Sequence, residues 1–511
     1  PAVDRRLLTD LLRDQWGFEG TVVSDYWAIT FVQQMHQVSG SAQESARLAL
    51  TAGMDVELPQ TGAFGTLADS VRSGSIEESL VDRAAARILR QKIVLGMLDP
   101  GWTPSVDPDR NLDSATNRSL AREVAERSIV LLANDGTLPL ADPTVSTSRI
   151  AVIGAGADDP RTMMGCYAFP NHVVGAEDDL GLSIATVLDA VREEYPAAEV
   201  IHARGCDIDS TDTSGLAEAR EVAAASDVVL LVVGDRAGLF GRGTSGEGCD
   251  RADLQLPGMQ ATLAQQILSV GTPVVLVVLS GRPYALGDYA SRCAAIVQAF
   301  FPGVEGASAI AGILSGRVEP SGRLPIGVPA EPGGQPATYR AAPLGRHTPG
   351  VSTLDPTALF PFGHGLSYAT VDFLGIAVDS PQIAVDGQVE VSVTVRRGSN
   401  GRGTRGGIEV VQLYLSDLQA QVTRPAIELI GFARVDLEVG QSRSVRFTVH
   451  ADRLSFTGID GGRVVEPGTV RLSAGPSSGD LPLSLDLEIV GDLRRVEGPR
   501  VMHTPVRSNP T

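Results

Sequence analysis

Thr21-Val22-Val23-Ser24-Asp25-Tyr26 reads as a short strand, Thr21–Ser24, that runs straight into a carboxylate. An amphipathic helix, Arg5–Trp16, precedes it; a helix around Ala42–Ala52, a short strand Met54–Leu58 and a long helix ending near Leu95 follow. Helix and strand in alternation are the pattern of α/β architecture with parallel strands. A buried parallel sheet needs several neighbouring strands and helices on both faces, which two strands cannot supply. Residues 1–100 are therefore read as part of a larger body. The chain starts at Pro1 with no Met, basic n-region or signal peptide and reads as cut from something longer, which leaves localisation open with the cytoplasm slightly favoured.

Beyond a Pro-, Asp- and Asn-rich linker at 101–119, residues 120–330 open with a helix, Leu120–Asn134, and supply strands at Arg149–Ala155, Asp227–Gly234, Pro273–Ser280 and Ala294–Phe300. These are near-continuous apolar runs, as expected when helices cover both faces of a sheet, and they predict a complete α/β sandwich domain. A stretch dense in Pro and Gly, 331–385, is read as a second linker. Within 386–492 the period becomes two: Val389, Val391, Val393 and Val395 alternate with polar residues, as do Val445, Phe447 and Val449. Short alternating strands separated by turns such as Asp460-Gly461-Gly462 predict a β-sandwich resembling fibronectin type III, and the tail 493–511 shows no pattern. The expected fold class is multidomain α/β plus β.

Composition narrows the partners. The 61 acidic and 42 basic residues give a net charge of -19, a field that repels phosphate backbones and anionic lipid. Neither nucleic acid nor a membrane is expected as a partner, whereas a neutral ligand such as a sugar meets no such repulsion. Homo-oligomerisation stays open. Cys166, Cys206, Cys249 and Cys293 are far apart and form no CxxC pair, so they are read as free thiols. No apolar run approaches the roughly 18 residues needed to span a bilayer.

Asp25 at the end of its strand suits catalysis, because reacting groups collect at the carboxyl ends of strands in parallel α/β proteins; its oxygen would equally cap the following helix. Position alone leaves both roles open. The order of the surrounding motifs carries more. Leu7–Arg13, Trp16-Gly17-Phe18-Glu19-Gly20, Val22–Tyr26 and Ala52–Leu58 are followed by Ser128–Leu132, Asn134-Asp135-Gly136 and Leu138-Pro139-Leu140. Then come Phe301-Pro302-Gly303, Pro320–Pro325, Phe360–Tyr368, Arg424-Pro425 and Gly431-Phe432. Taken in this order they resemble glycoside hydrolase family 3 over nearly the whole chain. The resemblance implies that residues 1–100 are the C-terminal part of a (β/α)8 catalytic barrel, that the preceding barrel strands with their sugar-holding residues lie outside this chain, and that Asp25 is the nucleophile. A fragment of that kind is expected to be an open barrel piece without useful activity of its own.

The second carboxylate implied by the resemblance is Glu247, in Ser245-Gly246-Glu247-Gly248-Cys249-Asp250-Arg251 ahead of Leu256-Pro257-Gly258, as the acid/base. Without it, a Glu in a Gly-rich loop reads as a solvated surface residue. Asp250 and Arg251 are expected to pair with each other and fix the loop, and Glu305 to be structural. Tyr26 stands where many relatives carry Trp and is either a ring for an apolar sugar face or a rim aromatic; Trp27 is read as structural. The loop Met163–Ala168 is a further segment that could approach the pocket. The seven histidines, His36 among them, are scattered without metal-ligand spacing. Gly154-Ala155-Gly156-Ala157 lacks the GxGxxG spacing, so neither a metal nor any other cofactor is expected.

Two carboxyl groups in opposed environments suffice for retaining glycoside hydrolysis, one attacking the anomeric carbon and one protonating the leaving oxygen. The expected activity is that of an exo-acting retaining β-glucosidase on β-linked oligosaccharides or β-glycosides. β-Xylosidase or dual activity stands beside it, with a non-catalytic carbohydrate-binding relative as the reading from another class.

Overall fold

The computed structural model describes residues 1–105, 110–142, 148–172, 180–333, 338–401 and 407–510. Parts of the two stretches read as linkers, 106–109 and 334–337, thus lie outside the described residues. The chain divides into two compact units, Pro1–Arg110 and Asn111–Thr511.

In the first unit a π-helix, Arg6–Gln15, precedes strand β1 (Val23–Tyr26), helices Ala28–Gln34 and Ala42–Ala52, strand β2 (Val56–Leu58), and helices Leu67–Arg72 and Glu78–Val94. β1 and β2 are parallel, with Val23 opposite Val56 and Tyr26 opposite Leu58. β1 lies two residues later than the apolar run suggests, which places Asp25 inside the strand. The helix Ala42–Ala52 starts where Ser41 accepts the Glu44 N–H and Glu44 in turn accepts the Gly40 N–H at 2.8 Å. Its buried face, Ala46, Ala49 and Ala52, packs with Leu8, Ile29 and Met54 in a small core.

The second unit holds a six-stranded sheet of β3 (Val130–Asn134), β4 (Arg149–Ile153), β5 (Glu199–Ala203), β6 (Val228–Gly234), β7 (Val274–Leu279) and β8 (Ala295–Gln298) in the order β3-β8-β7-β6-β4-β5. All neighbours are parallel except β3 and β8. Leu230, Val232, Val275 and Val277 pack on one side with helices Val187–Glu194 and Gly306–Ser315, while Val229, Leu231, Leu276 and Val278 pack on the other with Leu216–Ala224 and Gln260–Leu268. Two-sided burial explains why β6 and β7 carry no polar residue. The expected helix Leu120–Asn134 is corrected here: the helix is Ala115–Ser128, and Val130–Asn134 leaves it as a strand. Ile129 through Leu132 are at most 1% exposed, and sheet burial on both faces overrides a helical period. β5, which the apolar pattern does not reveal, is an edge strand with a half-exposed, mixed sequence.

The β-sandwich follows. Its strands are β9 (Ala369–Val378), β10 (Gln382–Ala384), β11 (Gln388–Gly401), β12 (Gly407–Asp417), β13 (Glu428–Leu437), β14 (Ser442–His450), β15 (Phe456–Thr457), β16 (Arg463–Val465), β17 (Gly468–Gly475), β18 (Leu483–Val490), β19 (Arg494–Arg495) and β20 (Val506–Pro510). A five-stranded sheet, β10-β18-β17-β12-β13, faces a four-stranded one, β20-β14-β11-β9, and β15, β16 and β19 form a small third sheet. The alternating valines of β11 enclose a core with Leu413, Phe447, Leu472 and Ile489. Two expectations are corrected. β9 and β10 lie within 331–385, read as linker, and β19 and β20 within 493–511, read as an unpatterned tail. β9 and β20 are the outer strands of the four-stranded sheet, held by backbone pairing as in Phe447 opposite Val506, so they need little apolar alternation. No helix among the described residues is long and apolar enough to cross a membrane.

The sandwich is tied to the α/β part by Arg323 and the buried Glu409, paired at 2.7 Å, and by the Phe360–Tyr368 segment. There the His364 ring lies on Phe360 with Nε2 2.9 Å from the Leu132 carbonyl. Burial disfavours the imidazolium and holds His364 below its ordinary pKa of 6.5. Between the folded and unfolded pKa values the unfolded chain binds more protons, so this contribution is present above the ordinary value and is lost as pH falls through that window. Thermal melting of the second unit should therefore drop between pH about 7.5 and 5.5, and the drop should be smaller in His364→Gln, which stays neutral and can still donate to the Leu132 carbonyl.

Candidate active site

Asp25 is solvent-exposed on β1, and its Oδ1 accepts the Tyr26 N–H at 2.7 Å. It does not cap the next helix, whose N-cap position is Trp27, in left-handed conformation (φ 58°) and without a side-chain cap. Tyr26 and Trp27 are 56% and 43% exposed, their rings edge to face with centroids 5.7 Å apart, so both present aromatic surface beside Asp25. Three polar side chains brace the strand ends. Ser24 donates to the Asp25 carbonyl at 2.8 Å and accepts the Leu58 N–H at 3.0 Å. Glu57, buried, accepts the N–H groups of Ala63 (2.9 Å) and Phe64 (2.6 Å). Asp55, fully buried, accepts from Arg13 at 2.8 Å, Arg87 at 2.9 Å and the Val22 N–H at 2.9 Å, joining β1, β2 and two helices at one carboxylate.

Glu247 lies in the loop that leaves β6. The loop folds back on itself: Gly238 N–H donates to the Ser245 carbonyl at 2.9 Å, Phe240 N–H to the Glu247 carbonyl at 2.8 Å and Thr244 N–H to the Arg236 carbonyl at 2.9 Å. Gly246 has φ 125°, and a Cβ there would stand 2.1 Å from the Gly238 carbonyl oxygen, so no other residue fits. The Glu247 side chain is exposed and receives a hydrogen bond from the Tyr167 hydroxyl. The Met163–Ala168 loop thus reaches Glu247 through Tyr167, whose ring stacks on His172.

Beneath the loop, Asp235 is 1% exposed and accepts from Thr244 Oγ1 (2.7 Å), Tyr284 Oη (2.5 Å) and Gly281 N–H (3.0 Å). Arg282 Nη1 is 3.9 Å from the same carboxylate, and its two terminal nitrogens donate to the carbonyls of Thr244 and Cys249. Asp235, Arg282 and Tyr284 were not legible as site residues in the sequence, whereas Tyr167 lies in the Met163–Ala168 loop singled out there. The available signal was position: Asp235 and Ser280-Gly281-Arg282 directly follow the apolar strands β6 and β7.

Arg251 pairs with Asp209 at 2.7 Å and not with Asp250, because neighbours in a non-helical loop point apart. Glu305 is buried and held by Arg118 (3.1 Å) and Arg122 (2.6 Å), a structural pairing. The four cysteines are unpaired with one another, and burial pushes the Cys206 thiol up to about 11 and Cys293 to about 12. Among the described residues no group of three or more His, Cys, Asp and Glu could hold a metal. At the carboxyl ends of β4, β5 and β6, where the strand order reverses, a cleft of about 740 Å³ is lined by Arg161, Arg204, Arg236 and Arg242 together with Asp159 and Asp207. Such a reversal is where open α/β sheets receive ligands.

A parallel α/β domain with a cleft at its strand reversal, joined to a fibronectin-like β-sandwich, defines a multidomain α/β plus β protein. Residues 1–91 match the glycosyl hydrolase family 3 N terminal domain, residues 129–368 the glycosyl hydrolase family 3 C-terminal domain and residues 409–478 a fibronectin type III-like domain, and the chain belongs to glycoside hydrolase family 3. It is 35% identical over 484 residues to a beta-xylosidase of Formosa agariphila, covering 92% of this chain and 65% of that protein. To a periplasmic beta-glucosidase of Salmonella typhimurium it is 31% identical over 512 residues, covering 93% and 64%. The chain therefore spans a little under two thirds of these curated relatives. Among solved structures it resembles a β-glucosidase from Erythrobacter marinus with a TM-score of 0.82 at 35% identity, covering 96% of this chain and 66% of that one. The β-glucosidase from Listeria innocua in complex with glucose gives a TM-score of 0.82 at 27% identity, covering 96% and 66%.

Asp55→Ala would leave the largely buried Arg13 and Arg87 without their shared carboxylate, a loss expected to cost about 3–5 kcal/mol. Denaturant unfolding of the first unit, followed by tryptophan fluorescence, should show that loss. Asp69→Ala, which removes an exposed partner of Arg72, should change the midpoint little.

Proposed function

We propose that the protein is a retaining, exo-acting β-glycosidase that releases terminal non-reducing β-D-glucosyl residues through a covalent glycosyl-enzyme, with Asp25 as nucleophile and Glu247 as acid/base. The observation that carries this reading is that each carboxylate is exposed at the end of a parallel strand or in the loop after one, inside a motif of one glycosidase family, and is offered by a braced backbone. The first unit is read as the C-terminal part of a (β/α)8 barrel, residues 1–100, since each of its two parallel strands is followed by helices. Residues 120–330 are read as the α/β sandwich and 386–492, extended by β9 and β20, as the fibronectin-like domain.

In the first step Asp25 forms a bond to the anomeric carbon as the glycosidic C–O bond breaks, and the carboxyl proton of Glu247 passes to the leaving oxygen. Oδ1 of Asp25 is turned to the Tyr26 N–H, which orients Oδ2 for attack. In the second step Glu247, now a carboxylate, takes a proton from water as the water oxygen attacks the anomeric carbon and Asp25 departs. Tyr26 offers its exposed ring to an apolar sugar face. Substrates are β-linked oligosaccharides or β-glycosides. A second reading, β-xylosidase or dual activity, is favoured by the similarity to a beta-xylosidase, since glucose and xylose differ only by the hydroxymethyl group.

In the full-length protein, a 2-fluoro glucoside should label the peptide containing Asp25, as read by mass spectrometry; a label on another carboxylate overturns the assignment. Glu247→Ala should hydrolyse cellobiose poorly yet still be glycosylated by an activated aryl glycoside, with azide restoring turnover and yielding a β-glycosyl azide. Near-parent hydrolysis of cellobiose would exclude Glu247. Rates on aryl β-glucoside and aryl β-xyloside separate the two sugar readings, and inactivity on both would leave a binding protein.

A further inference from the structure

The four residues that carry the Glu247 side chain, Ser245-Gly246-Glu247-Gly248, contain two glycines with positive φ, 125° at Gly246 and 69° at Gly248. Glycines that permit this turn also leave it with more conformations to lose than any other residues would. Glu247 does little to fix itself, being exposed and hydrogen-bonded through its side chain to Tyr167, itself 65% exposed. Ser245 and Glu247 accept backbone hydrogen bonds from Gly238 and Phe240, and the residues on either side of the four, Thr244 and Cys249, are held separately.

Both ends are held by one guanidinium. Arg282, on the segment after β7, donates from Nη1 to the Thr244 carbonyl and from Nη2 to the Cys249 carbonyl, the residues that flank the four. A planar fork fixes the separation and the relative orientation of the two acceptors together, which a lysine could not do. Arg282 is in turn faced by the buried Asp235 carboxylate, 3.9 Å from Nη1. Asp235 is anchored by Thr244 Oγ1, Tyr284 Oη and the Gly281 N–H, so the same carboxylate also grips the first flanking residue directly. Burial, and then the adjacent Asp235, push the Tyr284 phenol well above its ordinary pKa, which keeps it a donor at all working pH values.

We propose that Asp235 and Arg282 are positioning residues that fix the Glu247 loop by its two flanking carbonyls, so that the carboxyl group meets the leaving oxygen at the geometry proton transfer requires. The assignment rests on the reading of Glu247 as acid/base. A pair of this kind acts on acid and base catalysis and little on attack by Asp25. Its loss therefore has a signature that general destabilisation lacks: the penalty depends on how much help the leaving group needs.

The test is made in the full-length protein with Arg282→Met, Arg282→Lys and Tyr284→Phe, alongside Glu247→Ala. The measured quantities are kcat and KM for cellobiose, the pre-steady-state glycosylation rate with 2,4-dinitrophenyl β-glucoside, and melting temperature. Arg282→Met is expected to lower kcat on cellobiose about 100-fold, with the dinitrophenyl glycosylation rate within about 5-fold of the parent, on the scale of lost general acid catalysis. Arg282→Lys should recover only part of the loss, and Tyr284→Phe, which leaves no unpaired charge, should show the same split on a smaller scale. Equal losses on both substrates, full recovery with Lys, or an unchanged cellobiose rate would each overturn the proposal. If the Arg282 variants fail to fold while a folded Tyr284→Phe shows no split, the pair is structural and the proposal also falls. Glu247→Ala separates the two assignments: a split there without one in the Arg282 variants removes only the positioning role, whereas no split in Glu247→Ala removes the acid/base reading itself.

Discussion

Burial of the central strands on both faces is the constraint from which the second unit follows. Val228–Gly234 and Val274–Leu279 have no exposed position along their length, so their sequence has room only for aliphatic side chains and closing glycine. Polar chemistry is thereby pushed to the ends of the strands. Asp235 comes one residue after β6 and Arg282 three residues after β7, and parallel neighbours bring these ends to the same edge of the sheet. The Glu247 loop is built on that edge. A carboxylate as buried as Asp235 would be costly alone, and its three hydrogen bonds and facing guanidinium offset the desolvation.

The first unit joins its two strands through a buried charge. Its cores are small, and β1 and β2 are only four and three residues long. What aligns them is Asp55, which binds the backbone of Val22 on one side and arginines of two helices on the other. An arrangement of this kind stabilises less than a hydrophobic core of equal volume, but it specifies geometry, since each partner must arrive at one carboxylate. Asp25 stands on the strand so aligned.

The sequence made the fold class legible wherever periodicity was strong: the apolar runs of β6 and β7 and the alternating valines of β11. It failed where backbone pairing outweighs side-chain pattern. β3 starts one residue beyond the end of the helix Ala115–Ser128, with no turn signal between them, β5 is a half-exposed edge, and β9 and β20 sit at the borders of their sheet. At the candidate site, Asp25, Tyr26 and Glu247 were legible because their motifs are contiguous. Asp235, Arg282 and Tyr284 were not, because they meet through the register of two strands almost 50 residues apart in sequence, as the Asp235–Tyr284 separation of 49 shows. The partner of Arg251 was misread for the same reason: Asp209 is distant in the chain and near in space.

The segment Phe360-Pro361-Phe362-Gly363-His364-Gly365-Leu366-Ser367-Tyr368, one of the motifs that mark the family, shows how little of a motif need be chemistry. Leu366 N–H donates to the Leu131 carbonyl at 2.8 Å, Ser367 Oγ to the Ile408 carbonyl at 2.6 Å and Tyr368 Oη to the Ile313 carbonyl at 2.6 Å. A Cβ on Gly365 would lie 2.3 Å from the Gly322 carbonyl oxygen, so the chain passes there only without a side chain. Gly365, Leu366 and Tyr368 thus meet the α/β part and Ser367 meets β12 of the β-sandwich, and none of these contacts involves a candidate catalytic group. The segment is a seam, fixed in sequence by close backbone approach. By contrast the residues proposed to react, Asp25 and Glu247, are exposed and lightly contacted themselves, and what surrounds them is spent on holding their backbone.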